Sequence, residues 1–491
     1  MAFPERFSNL PEYAFPRLRK LLDVHQPGAA PIAMTIGEPR HPMPSFVGEV
    51  LQAHLGEFGL YPPNDGSPEL LAAISGWLKR RYGADVVADR IMVLNGTREG
   101  LFDACLALCP EQKAGKTPVV LMPNPFYQPY AAAALSVGAE PVFVPATAAT
   151  NFLPDYESLP AEVLDRTALA NICSPANPQG AIAPRDYLER LLALAERHGF
   201  TVLADECYSE IWRETAPTGA LDVATKLGTD PEKLAVFHSL SKRSNLPGLR
   251  SGFVAGGQES IRRFRQLRAY GGAPIPLPIQ RVSERAWSDE AHVDENRALY
   301  HEKFRIADQI FAGIQGYKAP DGGFFLWLPV DDGEAAALKL WRETGVGVLP
   351  GAYLARDVGG DNPGKGYIRV ALVAPKDDMR MLWRRIVLSI LISNTDDHLR
   401  NHGFLLGAAG WRLAPAFDVN ANIDKAEHVL NIDDADNRPH VATVLASAPF
   451  YGLSPQKADE VAQEVLTAVD AWRPAARKLG IAAADVELFA G

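Results

Sequence analysis

An α/β fold built around a mostly parallel sheet is the class this sequence predicts, and three observations predict it. Between about residues 90 and 255, short β-branched runs alternate with stretches of helical period, the pattern of βαβ units. Several of those runs end in polar, glycine-rich or proline-rich turns rather than in plain hairpins. The chain has 491 residues, 47% hydrophobic and 22% charged, enough for two to four domains at roughly 100–200 residues each, with a sizeable core.

The candidate strands are Ile91–Asn95, Pro118–Met122, Pro141–Pro145, Ala168–Cys173, Phe200–Asp205, Leu234–Leu240 and Gly252–Gly256. Helices between them are marked by Leu101, Cys105 and Leu108 at helical spacing and by the amphipathic stretch Tyr187–Arg197. After residue 270 the sequence predicts helices over Pro278–Trp287 and Glu295–Phe311, then short strands around Gly323–Pro329 and Tyr367–Val373. This gives a smaller α+β domain. Past residue 385 the character changes, with eight Lys/Arg against fourteen Asp/Glu in 394–491. The expected division is an N-terminal segment 1–45 packing with the small domain, a large domain 46–275, a small domain 276–385, and a mainly helical tail 386–491.

Composition excludes several classes. With 49 Lys/Arg against 59 Asp/Glu the net charge is −10, and a general nucleic-acid binder needs a basic field. Forty glycines and 39 prolines are scattered without a period, which excludes collagen-like and low-complexity chains. The cysteines Cys105, Cys109, Cys173 and Cys207 form no CxxC pair, so neither a disulfide framework nor a zinc site is expected. The N-terminal stretch is charged throughout, unlike a signal peptide. No run approaches the roughly 18 apolar residues of a membrane span. A cytoplasmic protein with no membrane or nucleic-acid partner is expected.

In a parallel sheet, ligands sit beyond the carboxyl ends of the strands, and there the unusual residues gather. Lys242 follows Ser239-Leu240-Ser241 straight after an apolar run, where a desolvated lysine can lose its proton and attack a carbonyl. Asp205 closes the apolar strand Thr201-Val202-Leu203-Ala204, where a carboxylate needs a partner. A protonated pyridine nitrogen is one such partner, the device pyridoxal phosphate (PLP) chemistry uses. Tyr208 and Asn177 can bond a ring oxygen, and Tyr127 can stack on a flat ring. Thr97 and Arg98 open a helix whose N-terminus favours an anion, while Ser239, Ser241 and Arg250 add hydroxyls and a guanidinium. Each residue alone also reads as a turn, cap or core position. Their joint order and spacing point to a cofactor site.

In that order and spacing the chain resembles the fold-type I, class I/II aminotransferases over residues 1 to about 375. The resemblance implies a PLP enzyme with Lys242 in SLSK as the Schiff-base lysine and Asp205 as the partner of the pyridine nitrogen. It implies Tyr208 and Asn177 on the ring oxygen and Tyr127 on the ring face. Thr97, Arg98, Ser239, Ser241 and Arg250 would hold the phosphate. Tyr61, in YPPNDGSPELLAAI, resembles the tyrosine that reaches the phosphate from a neighbouring subunit, implying a homodimer. Arg369 in YIRVAL matches the arginine that grips the substrate α-carboxylate, with Gly37 of IGEPRHP beside it. The stretches IGEPRHPMP, PNPFYQPY, DECYSEIW, SLSKRSNLPGLRSGFVAG, DEAHVDENRALYHEKF and VLPGAYLAR are similar to the bacterial N-succinyldiaminopimelate aminotransferases of lysine biosynthesis. They imply ping-pong transfer between L-glutamate and N-succinyl-2-amino-6-oxopimelate. Aspartate, alanine or aromatic substrates are the alternatives within the class. Arg40, Arg98 and Arg243 are candidates for a distal anion.

The tail carries ISNTDDHLRNHGFLL and later AFDVNA, which resemble the C-terminal part of HipA-type serine/threonine kinases. On that resemblance Asp396 is the base and Asn401 and Asp418 are magnesium ligands of a degenerate site. No amino-terminal kinase lobe precedes them, so an inactive fragment is expected, with phosphotransfer or nucleotide binding as the alternative function. Gly359-x4-Gly364-Lys365 lacks the Ser/Thr of a phosphate loop and leads into a strand, so it is expected to be a plain loop. His398 and His402 lie at i, i+4 without an obvious third ligand, and no resident metal is expected. Ser454-Pro455 should cap a helix carrying the stripe Val461, Val465, Val469 and Trp472.

Overall fold

The computed structural model describes residues 5–7, 10, 12–28, 31–311, 316–373, 404–407, 410–413, 441–451 and 453–470. Its centre is a seven-stranded sheet in the order Ile91–Leu94, Gly252–Ala255, Leu234–Ser239, Thr201–Asp205, Thr167–Cys173, Val119–Asn124, Glu140–Pro145. Only Gly252–Ala255 runs against its neighbours; the other pairings within the sheet are parallel. The expected strands recur with ends shifted by a residue or two, as propensity leaves strand ends loose where neighbouring strands decide them.

Both faces of the sheet are covered, which is why its strands are apolar at consecutive positions. Ile91, Val93, Val202 and Ala204 face one core with helices Pro68–Tyr82, Arg185–His198, Ala220–Leu227 and Leu277–Ser288. Met92, Leu94, Leu203 and Phe237 face the other with Thr97–Leu108, Pro129–Ser136 and Gln258–Gly271. Register places Cys173 opposite Asp205, and Ser239 opposite Gly252. One edge of the sheet therefore presents the ends of adjacent strands side by side.

The smaller layer is a three-stranded antiparallel sheet in the order Leu349–Pro350, Tyr367–Ala371, Phe325–Pro329. Trp327 stands opposite Arg369. Helix Ala14–Leu22 packs its Ala14, Leu18 and Leu22 against Trp327, Leu349 and Tyr353. Ile32–Ala33 pairs in parallel with Val346–Gly347. The loop at Gly359–Lys365 turns through a bridge between Val358 and Asp361 into strand Tyr367–Ala371, and no helix follows it.

In the tail, Phe404–Gly407 and Gly410–Leu413 form an antiparallel hairpin, an element the mainly helical expectation did not include. Helices Val441–Ser447 and Pro455–Asp470 close a small core of Val444, Ala448, Leu453 and Val461, with Val465 packed on it. Ser454 Oγ accepts from Lys457 N at 3.2 Å and caps the second helix as expected. Asp396, His398, Asn401, His402, Asp418 and Trp472 lie outside the described residues. Among the described residues, no helix is long and apolar enough to cross a membrane.

Candidate active site

The turns leaving the carboxyl edge of the large sheet converge with the small layer on a cavity of about 280 Å³. Lys242 enters it from the single helical turn Leu240–Arg243 that follows strand Leu234–Ser239. Ser239 caps that turn, its Oγ accepting from Ser241 N at 3.1 Å. Lys242 Nζ donates to the carbonyl of Gly37 and lies 5.2 Å from the centre of the Phe324 ring. Burial lowers its pKa to about 8, and the cations of Arg369 and Arg250 push the same way. Gly37 is required where it stands, because a Cβ there would meet Phe325 Cζ at 2.4 Å.

Asp205 ends its strand 5% exposed. Its Oδ2 accepts from Tyr130 OH at 2.8 Å and its Oδ1 from Cys207 N at 3.4 Å. Burial raises its pKa; Cys207, Tyr130 and the charge of Lys242 oppose the rise. Among the described residues no lysine or arginine forms a salt bridge with it.

The other end of the cavity is built to receive an anion. Gly96 (φ +80°) caps helix Thr97–Leu108, whose first backbone N–H groups have no partner within the helix. A Cβ on Gly96 would stand 2.4 Å from Arg250 Nη2. Arg250 (φ +55°) folds back to donate to Pro247 O at 2.9 Å and Asn95 O at 3.3 Å. The hydroxyls of Ser239 and Ser241 lie 3.0 Å apart beside it. Tyr127 OH accepts from Arg98 Nε at 2.9 Å, a bond that raises the Arg98 pKa.

Arg369 reaches the cavity from the small sheet, 4% exposed. It donates from Nη1 to Asn177 Oδ1 at 2.9 Å and from Nη2 to Thr35 O at 2.7 Å. Its Nε is buried without a hydrogen-bond partner, and burial lowers its pKa to about 10. The guanidinium lies 4.3 Å over the Phe325 ring. Tyr208, 8% exposed, packs edge-on to Phe324 and Phe325, and burial drives its phenol pKa well up.

These residues fit a ligand with a cationic ring nitrogen at one end and a phosphate at the other. A buried carboxylate with no salt-bridge partner among the described residues stands at one pole. A helix N-terminus, two hydroxyls and a guanidinium stand at the other, with a partly deprotonated lysine between. That donor set suits PLP.

Of the residues singled out from sequence, Gly37, Thr97, Arg98, Tyr127, Asn177, Asp205, Tyr208, Ser239, Ser241, Lys242, Arg250 and Arg369 all line this cavity. Tyr61 does not; its side chain is fully exposed on the chain surface. Arg40 is outside the lining. Arg243 is no distal-anion ligand: it is 2% exposed, bonded to Ala286 O and Glu290 and packed against Trp77 and Trp287. Tyr130, Cys207, Thr35 and the N-terminal Tyr13 and Phe15 belong to the site region and were not anticipated. Tyr130 had a local signal: it stands three residues after Tyr127 at a helix start, so the two rings share a face.

The family model "Aminotransferase class I and II" matches residues 30–386, and "HipA-like C-terminal domain" matches 367–472. An LL-diaminopimelate aminotransferase of Dehalococcoides mccartyi is 30% identical over 394 residues, covering 77% of this chain and 96% of that protein. The 4-dedimethylamino-4-oxo-anhydrotetracycline transaminase OxyQ of Streptomyces rimosus is 31% identical, over 74% and 96%. Among solved structures, an aminotransferase from Neisseria meningitidis is 42% identical with TM-score 0.71, covering 75% of this chain and 95% of its own. Aminotransferase AspB from Helicobacter pylori is 34% identical with TM-score 0.69, over 76% and 95%.

Proposed function

We propose, for a chain that belongs to the class I and II aminotransferases and so is a PLP-dependent aminotransferase, transfer of the amino group of L-glutamate to N-succinyl-2-amino-6-oxopimelate. The observation that carries amino-acid transfer is the pairing of Arg369 and Lys242 across one cavity. A buried guanidinium with an unpartnered Nε suits a carboxylate, and a lysine titrating at about 8 suits the exchange of a proton. The succinylated substrate is supported by the sequence stretches quoted above. A second reading, an unsuccinylated diaminopimelate, is favoured by the name of the Dehalococcoides relative.

When bound, PLP supplies the carbonyl that takes the amino group and the electron sink that makes the substrate Cα–H acidic. In this proposal the chain does the rest. Asp205 would face the ring nitrogen, its carboxylate accepting from Tyr130 OH and Cys207 N–H, bonds that oppose the rise in pKa that burial brings. Thr97, Arg98, Ser239, Ser241 and Arg250 hold the phosphate; Asn177 and Tyr208 hold the ring oxygen, and Tyr127 covers a face. Arg369 orients the substrate by its carboxylate next to Asn177 and Gly37. With the cofactor bound, Lys242 Nζ would accept the substrate's Cα proton and hold it for return.

Tyr61 is placed by this reading in the partner's site of a cytoplasmic homodimer, and the four-part division 1–45, 46–275, 276–385 and 386–491 is retained. The tail, for which the HipA-like match speaks, is read as a kinase-type fragment that does not phosphorylate, with Asp396, Asn401 and Asp418 as remnants.

The test is the visible spectrum of the PLP-loaded chain before and after L-glutamate. A band that bleaches on L-glutamate, and is absent in Lys242→Ala, supports the reading. A band indifferent to L-glutamate and to every other amino acid counts against Arg369 as the carboxylate ligand. Restoring the band with N-succinyl-2-amino-6-oxopimelate, or bleaching it with LL-diaminopimelate instead, separates the two substrates.

A further inference from the structure

Helix Ala291–Phe311, 21 residues long, touches the turn that carries Lys242 and the chain just past the strand that carries Arg369. Near its start Asn296, 3% exposed, donates from Nδ2 to Lys242 O at 3.2 Å and to Arg243 O at 3.4 Å. Those carbonyls lie at the C-terminal end of the turn Leu240–Arg243, where a helix leaves its acceptors without internal partners. Asn296 Oδ1 accepts from Asn245 Nδ2 at 2.9 Å and lies 2.9 Å from His41 Nδ1. Both donors and both acceptor positions of the amide are used. The flipped amide would set its oxygen against two carbonyls.

His41 closes the segment whose Gly37 carbonyl accepts from Lys242 Nζ. Asn296 thus holds the backbone of Lys242 directly and, through His41, the segment that its amine touches. Seven residues further along the same helix face, Lys303 donates to Leu372 O at 3.1 Å, just past the strand that carries Arg369. The two anchors are two turns apart, about 10 Å along the axis.

We propose that Asn296 is a positioning residue for the transfer, and that its helix face, running to Lys303, is a strut that sets the separation of Lys242 from Arg369. The proposal rests on the roles given above to those two residues. A substrate held by its carboxylate at Arg369 must bring its Cα proton to Lys242 Nζ, and a displacement of about 1 Å in such a geometry costs about 100-fold in rate.

The experiment compares the full-length chain with Asn296→Ala, Asn296→Asp, Lys303→Met and Lys242→Ala. It reads the L-glutamate half-reaction, the rate at which the apo-protein captures PLP, and the melting temperature. Asn296→Ala should slow capture and lower kcat about 10- to 100-fold, with KM for L-glutamate within about threefold. Asn296→Asp, which fills the same space without a donor, should lose as much. Lys303→Met should instead raise KM. If the Asn296 variants do not fold, His41→Phe keeps a ring beside Tyr300 and should show the same loss in milder form.

Wild-type capture and kcat in folded Asn296→Asp, or in His41→Phe where that variant is needed, while Lys242→Ala is inert, overturns the strut and leaves the proposed function standing. A half-reaction that survives in Lys242→Ala overturns both.

Discussion

Lys242 owes its chemistry to where it is held. An exposed lysine titrates near 10.4 and is charged at neutral pH; burial at the cavity floor brings this one to about 8. Capture of PLP by the apo-protein needs the neutral amine, so its rate should rise with pH through about 8 and level off above, read by stopped-flow absorbance. Replacing Arg369 by leucine removes a neighbouring cation and should move that midpoint upward; an unchanged midpoint near 10 in the parent chain would contradict the burial argument. Lys242 and Asp205 were legible in the sequence because each is a charged residue at the end of an apolar run. Asn296 was not, and the spacing of Tyr130 from Tyr127 gave its place but not its bond to Asp205, because a buried hydrogen-bond donor looks like any core residue until its acceptor is known.

At the level of elements, the proposed phosphate pole depends on one helix start. Gly96 sits at φ +80° with Arg250 against it, so Gly96→Ala both strains the backbone and pushes the guanidinium away. The strain alone is worth about 1–3 kcal/mol. PLP affinity should fall by at least about tenfold, roughly 1.4 kcal/mol, in a fluorescence titration, with little change in the fold by circular dichroism. Affinity equal to the parent's would show that this end does not receive the phosphate. Strand Leu234–Ser239 stops one residue before the predicted end because Ser239 turns to cap Leu240–Arg243. A local cap outweighed the apolar run. The tail hairpin Phe404–Gly407 with Gly410–Leu413 was missed for a similar reason: its pairing is not visible in either short run alone.

At the scale of the whole molecule, Tyr61 stands fully exposed and outside the cavity of its own chain. In the proposed homodimer it reaches the partner's phosphate pole. Sedimentation equilibrium should therefore give twice the 53.4 kDa chain mass, and Tyr61→Phe should weaken PLP binding without dissociating the dimer. A monomer with full PLP affinity would remove Tyr61 from the site. The overlap of the two family matches at residues 367–386 puts the strand of Arg369 where both patterns meet.

The order of strands and helices along the chain, the sheet's parallel character and half of the cavity lining were determined by the sequence itself. Apolar runs, turn chemistry and charged residues at run ends are local signals, and local signals survive without a fold. The tertiary structure alone decided that Arg243 is locked between two tryptophans while its neighbour Lys242 faces the cavity. It also decided that Tyr130 serves Asp205 and that Asn296 ties helix Ala291–Phe311 to Lys242. Those assignments depend on partners 44 to 166 residues away along the chain, which only packing brings into contact.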